Sequence, residues 1–180
     1  MILEVLTRHY TKRPTLLMRN VLSLRSQIDC DWIQTILVDE IGRGVEWANQ
    51  NLAHYAPKLI GDYIWILDDD DLCIDNLLVA EVRDIVNTSN PDVIMIKCDC
   101  DGFGILPDED HWMQKPEQTH IGMSCFIVKR ELWQTCAYAW PYSLGGDYAF
   151  IDAVFSHTDN IIWLNKLVAV APKKGYGDGE

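Results

Sequence analysis

A chain of 180 residues, 48% apolar and 23% charged, has the composition of a globular protein and enough length to bury roughly 70% of its unfolded surface, which excludes disorder as the main state. Lys and Arg number 15 against 27 Asp and Glu, a net charge of −12; such a chain repels phosphate backbones, so nucleic acid is not an expected partner. No apolar run approaches the roughly 18–20 residues of a spanning helix, and the opening Met1–Leu6 is too short for a signal-peptide core and carries Glu4.

Short apolar runs alternate with amphipathic stretches along the chain. Leu3 to Leu6 reads as a first strand. Pro14 to about Gln27 reads as a helix, with Leu17, Val21 and Leu24 at helical spacing and Pro14 suited to the first turn. Ile33 to Val38 is a second strand, ending in Asp39-Glu40, and Val45 to Tyr55 a second helix. The run Tyr63 to Leu67 is apolar at every position, the mark of a strand buried on both faces, and it stops at four aspartates. Asp75 to Asn87 reads as a helix and Val93 to Ile96 as another buried strand. This βαβαβαβ order predicts a mostly parallel sheet covered by helices, with ligands outside the carboxyl ends of the strands. Asp39-Glu40 and Asp68 to Asp71 then share one rim.

From Cys98 to Gln118 the periodicity is lost, and the Asp-, Gly- and Pro-rich composition predicts a loop or lid. Met123 to Val128 reads as a strand, Glu131 to Ala137 and Gly146 to Phe155 as short helices, and Ile161 to Leu164 with Leu167 to Val170 as a late hairpin or two strands. Residues 1–171 make one domain, and 172–180 a Gly-rich polar tail. The six cysteines lack zinc-site spacing and the density of a disulfide scaffold; they read as buried free thiols in a reducing, cytoplasmic setting.

Leu67-Asp68-Asp69-Asp70-Asp71 carries the strongest chemical signal. Four adjacent carboxylates repel one another, and a divalent cation with its preference for oxygen ligands relieves that repulsion. Helix capping needs one Asp rather than four. A calcium EF-hand loop is excluded, because the sixth position from Asp68 is Cys73 instead of Gly and the twelfth is Val79 instead of Glu.

Four segments, in order, resemble a GT-A glycosyltransferase close to the inverting family 2. They are Thr7 to Leu17, with its Tyr10 and Arg13-Pro14; Ile36 to Glu40; Gly61 to Asp71, the run into a DxD motif, preceded by Ala48-Asn49; and Gly145-Gly146-Asp147-Tyr148 in the place of an acidic pair. The resemblance implies a single-domain GT-A α/β fold. It also implies a metal-dependent inverting transfer, of hexosyltransferase type, from a nucleoside-diphosphate sugar (UDP favoured) to a saccharide or other hydroxyl acceptor. It assigns Asp70 to a Mn²⁺ or Mg²⁺ ion bridging the donor diphosphate, and Asp68 to the donor ribose or the metal's water shell, with Asp69 beside it. Thr7, Tyr10, Asp39, Glu40 and Arg43 hold the nucleotide, and Asp147 is the general base. The physics agrees: a divalent ion stabilises the growing charge on a diphosphate leaving group, and one carboxylate on the opposite face serves as base for an inverting attack.

The sequence departs from that pattern. Only Ile41-Gly42 separates Glu40 from Arg43, the Thr7–Pro14 segment with His9 is longer, and Gly146 stands where an acid precedes the base. A haloacid-dehalogenase-like phosphatase is a rival through Asp68-x-Asp70 and Gly146-Asp147 with Asp152, but Leu72 stands where that motif has Thr or Val, and about sixty residues precede a strand that normally comes first. A nucleotidyltransferase lacks its Gly-rich opening loop here. A catalytically inactive sugar-nucleotide-binding domain is the non-enzymatic alternative, resting on Gly146 and the shortened segment. His157 reads as a surface histidine, His111-Trp112 and His120 flank the lid, and Gly122 and Ser124 read as lining the acceptor side.

Overall fold

β1 (Leu3–Tyr10) outruns the apolar stretch that begins it, because β2 (Trp32–Asp39) pairs with it in parallel along its whole length, from Leu3 opposite Trp32 to Tyr10 opposite Asp39. The computed structural model in which this is seen describes residues 1–140 and 145–172; the polar tail from residue 173 onward lies outside them. Thr7, Arg8 and His9, expected in a loop, are thus strand residues. Their side chains alternate between the two faces. Asn20 of α1 (Pro14–Leu24) meets the Thr7 side, where Gln34 Nε2 donates to Thr7 Oγ1 at 2.8 Å and to Asn20 Oδ1 at 2.7 Å. Arg8, on the other face, reaches Asn49 of α2 (Val45–Tyr55).

β3 (Tyr63–Ile66) pairs in parallel with β1, and every one of its residues is buried. Then comes β4 (Leu72–Cys73), α3 (Leu78–Ser89), β5 (Val93–Cys100), β6 (Gly104–Leu106), β7 (Phe126–Lys129), α4 (Arg130–Cys136), α5 (Gly146–Phe155) and β8 (Ile161–Ala171). The sheet runs β2-β1-β3-β7-β5-β8-β4, with β6 on β5. It is mixed. β1, β2, β3, β5 and β8 point the same way, as the βα alternation requires, but β7 is inserted antiparallel between β3 and β5, and β4 and β6 are also antiparallel. No local pattern records that insertion, because β7 arrives some sixty residues after β3.

Other departures have local causes. The third helix starts at Leu78 rather than Asp75, because Leu72-Cys73 pairs with β8 and the Asp75 carboxylate accepts the Leu77 amide. Residues Met123–Cys125 turn as a 3-10 helix before β7. The late segment is one strand, its register on β5 shifting around Lys97. β5 runs on to Cys100 and folds back as a hairpin with β6 inside the expected loop.

The core holds Trp65, Trp133, Phe126 and Phe150, all fully buried. Trp133 and Trp140 pack on Phe150 at 4.4 and 4.5 Å between ring centroids, binding α4 and α5 together. Glu4 is buried as well. Its carboxylate accepts from the Thr35 hydroxyl and the Ile60 and Gly61 amides, each at 2.8 Å, and a Cβ on Gly61 would lie 2.4 Å from the Glu4 Cβ. Satisfied by three donors, the charge is tolerated inside.

Candidate active site at the strand ends

The carboxyl ends of β1, β2 and β3 meet on one rim, and the four aspartates after β3 sit there in different surroundings. Asp68 is gripped by Arg8: Nε donates to Oδ1 at 2.7 Å and Nη2 to Oδ2, a two-pronged pair of the kind guanidinium geometry favours. Asp69 is fully buried. It accepts from the Tyr10 amide at 3.1 Å, lies 2.8 Å from His9 Nδ1 and pairs with Arg13 at 3.0 Å; burial pushes its carboxyl up against the pull of these partners. Asp71 accepts the Ser124 hydroxyl at 2.7 Å, and burial followed by repulsion from Asp68 and Asp70 raises it well above the usual range. Asn20 Nδ2 ties the turn together by donating to the carbonyls of Asp68 at 2.8 Å and Asp71 at 3.0 Å.

Asp70 differs from its neighbours. Arg13 stands 3.7 Å away, and the side chain keeps 17% exposure. Burial, then repulsion from Asp68, lifts it to about 7. A carboxyl with surplus negative charge around it and an open side fits a divalent cation, whose hard oxygen-seeking character matches the donor set. Among the four, Asp70 is the carboxylate that could reach such an ion. Both oxygens of Asp68 are engaged by Arg8.

The Arg8 guanidinium continues the network. Its Nη1 donates to Asn49 Oδ1 at 2.7 Å. Asn49 Nδ2 in turn lies so close to Gly146 that a Cβ there would sit 2.5 Å from it. That contact gives Gly146 a physical reason: only a residue without a side chain lets the start of α5 reach Asn49. Asp147 follows in the first turn of α5, its Oδ1 accepting the Tyr148 amide at 2.8 Å. Burial raises its carboxyl, although the Tyr148 amide and the Arg8 charge pull it down. Asp68, Arg8, Asn49 and the Asp147 turn thus form one line across the rim. Arg8 and Asn49 were not singled out as site residues; an Arg two positions past the apolar run of the first strand, in a chain with four acids after the third, was the available signal.

The remaining expected donor residues gather around the turn after β2. Asp39 Oδ1 accepts the amides of Ile41 at 3.1 Å and Gly42 at 3.0 Å, and Oδ2 accepts that of Arg43. Its carboxylate is folded into its own turn. Tyr10 covers that turn, and a Cβ on Gly42 would lie 2.8 Å from the Tyr10 ring. Arg43 stacks over Trp47 at 4.2 Å from the ring centroid. Glu40 is exposed, its carbonyl accepting the Thr11 hydroxyl at 3.2 Å. Thr7 is fully buried against Gln34 and presents no surface. Tyr10, Glu40 and Arg43 are therefore the accessible members of the group.

Elsewhere, His157 is exposed as expected. Cys73, Cys98, Cys125 and Cys136 are buried free thiols, whereas Cys30 is exposed. Among the described residues no helix is long and apolar enough to cross a membrane.

No protein-family model and no curated protein matches the sequence. Solved structures match in fold. Staphylococcus aureus TarS 1–349 in complex with UDP-GlcNAc aligns with a TM-score of 0.68 at 15% identity, over 99% of this chain and 60% of that one. The mannosyltransferase PcManGT from Pyrobaculum calidifontis, in complex with GDP-Man and Mn²⁺, aligns at 0.65 and 15%, over 97% and 58%. A197 from STIV aligns at 0.60 and 16%, over 92% and 82%. The chain spans about 60% of the TarS fragment. The sheet, its rim and these neighbours together identify the architecture as the GT-A fold.

Proposed function

We propose that this chain is an inverting glycosyltransferase of family 2 type that moves a sugar from a nucleoside-diphosphate sugar, with UDP favoured, to an acceptor hydroxyl. One observation carries the reading: a single polar line, Asp68–Arg8–Asn49, runs from the overcharged aspartates to the turn that bears Asp147. Asp70 would hold Mn²⁺ or Mg²⁺, which when bound supplies positive charge to the leaving diphosphate. Arg8 holds Asp68 in place through two hydrogen bonds. Tyr10, Glu40 and Arg43 line the nucleotide side, with Asp39 shaping the turn that presents them. Asp147 takes the proton from the acceptor oxygen as it attacks; its buried, raised carboxyl suits a base. The neighbours' complexes with UDP-GlcNAc and with GDP-Man and Mn²⁺ support a nucleotide sugar and a divalent ion in this fold.

The phosphatase alternative needs Asp68 as a free nucleophile, and both of its oxygens are engaged by Arg8. The inactive-binder alternative drew on Gly146 and on the shortened segment after Glu40; the Asn49 contact gives Gly146 a packing reason. The test is thermal unfolding with UDP, GDP, TDP and CDP, with and without Mn²⁺, on the wild type and Asp70→Ala. Ligand at about 100 times its dissociation constant adds about 2.7 kcal/mol, a shift of roughly 5–10 °C for a chain of this size. A Mn²⁺-dependent shift with one nucleotide that vanishes in Asp70→Ala is expected. No shift with any nucleotide overturns the reading.

A further inference from the structure

The segment between β6 and β7 carries a second cluster that the donor site does not use. Asp108, His111 and His120 each bring a ligating atom, and these atoms lie within 4.8 Å of one another. His111 Nδ1 is 2.6 Å from Asp108 Oδ1, and His120 Nδ1 is 3.1 Å from Asp108 Oδ2. The two imidazoles stack with centroids 3.7 Å apart and planes 17° from parallel, each with Nδ1 toward the Asp108 carboxylate; a shared ion requires one ring to turn out of the stack, because a metal lies in the plane of each imidazole it binds. Three ligand atoms around a zinc ion at its usual bond lengths lie about 3.3 Å apart, close to this spacing.

The surroundings are those of a held site. The Asp110 and His111 amides donate to Asp108 Oδ1 at 3.1 and 3.0 Å, which fixes the carboxylate with Oδ1 toward His111 and Oδ2 toward His120. Glu117 stands 3.7 Å from the far nitrogen of His111. All three ligands keep partial exposure, 22% for His111, 38% for His120 and 41% for Asp108, so an ion can reach them.

We propose that Asp108, His111 and His120 form a metal site of zinc class, two imidazole nitrogens and one carboxylate oxygen, separate from the donor-site cation. Its place gives it a role. Lys115, in the same segment, pairs with Asp152 of α5 at 2.8 Å, and Gln118 Nε2 lies 3.2 Å from where a Cβ on Gly145 would be. The segment therefore touches the helix that carries Asp147. An ion joining residues 108, 111 and 120 closes the segment into a ring and holds it against the start of that helix. This inference does not depend on the proposed reaction.

The experiment is titration of the chelator-treated 180-residue chain with Co²⁺ alone, read by its visible absorption, and then displacement by Zn²⁺. It is run on wild type, Asp70→Asn, His111→Gln and His120→Gln. One equivalent of Co²⁺ with a nitrogen-containing ligand-field spectrum is expected in wild type and Asp70→Asn, and its loss in both histidine variants. A second readout needs no variant: in ¹⁵N-imidazole spectra of the wild type, Zn²⁺ should move His111 and His120 and leave His9, His54 and His157 in place. Absence of the equivalent in Asp70→Asn, or its retention in His111→Gln and His120→Gln, overturns the proposal, as does Zn²⁺ leaving the His111 and His120 signals unmoved. In that case Asp108 serves only as the shared hydrogen-bond acceptor of two imidazoles.

Discussion

Two neighbouring strand ends bring acids to the same rim, and the acids meet opposite fates. At the end of β2, Asp39 is spent on the chain itself, its carboxylate closed by the amides of Ile41, Gly42 and Arg43. At the end of β3, Asp70 is crowded by Asp68 and Asp69 with Arg13 at 3.7 Å, and its carboxyl rises to about 7. Residue type and topological position are alike. The turn that follows makes the difference. After Asp39 the backbone curls back, with Gly42 and Gly44 at positive φ, and delivers its amides to the carboxylate. After Asp71 it runs on into β4, which pairs with β8 and leads away. A carboxylate wrapped in amides anchors a loop; one packed among like charges keeps its proton to a higher pH.

The contrast can be broken from either side. The largest expected effect is on the reacting face: Asp147→Asn should lower kcat by about 10²–10⁴-fold, the usual contribution of a positioned base, while the Mn²⁺-dependent nucleotide shift in thermal unfolding stays as in wild type. Next comes Asp70→Ala, which should remove that shift of roughly 5–10 °C altogether. Asp39→Ala acts on stability instead. It strips three amides of their acceptor and should destabilise the fold by about 1–3 kcal/mol in urea unfolding, with nucleotide binding weakened less than in Asp70→Ala. Gly146→Ala forces a methyl to within 2.5 Å of Asn49 Nδ2. An overpacking loss of about 1–3 kcal/mol is expected, accompanied by lower kcat because Asn49 positions Arg8.

The smallest effect is on pH dependence. The Asp70 carboxyl titrates near 7 in the folded protein against an ordinary value of 3.8. The native state therefore holds the extra proton between these limits, and stability falls as pH rises through that window. Unfolding of ligand-free protein should show a loss of about 1–2 kcal/mol between pH 5.5 and 8. Asp70→Asn should flatten the slope and stabilise the fold at pH 8. It should not abolish the slope, because Asp69, Asp71 and Asp147 are raised in the same direction. A slope unchanged in Asp70→Asn would remove the charge surplus assigned to that residue.

Much of this architecture is legible in the residues. The apolar run Tyr63–Leu67 stopping at four aspartates marks a buried strand and a charged rim, and the spacing of Val45–Tyr55 gives that helix to the residue. Strand and helix periodicities are properties of the local backbone, so a local pattern suffices to read them. The placement of Asp147 at the start of a helix could be read for the same reason.

What only the tertiary structure decided depends on pairings between distant segments. β7 enters between β3 and β5, Arg8 reaches Asp68 sixty positions later, and Asn49 comes to rest on Gly146. His111 and His120, nine residues apart in a segment without periodicity, stack on one carboxylate. Each of these contacts is fixed by where the sheet and the loops close, which no window of the sequence records. The sequence alone determined the main strands and helices and the acids brought to the rim, because those are local patterns; chain closure determined where β4, β6 and β7 pair and which partners each carboxylate meets.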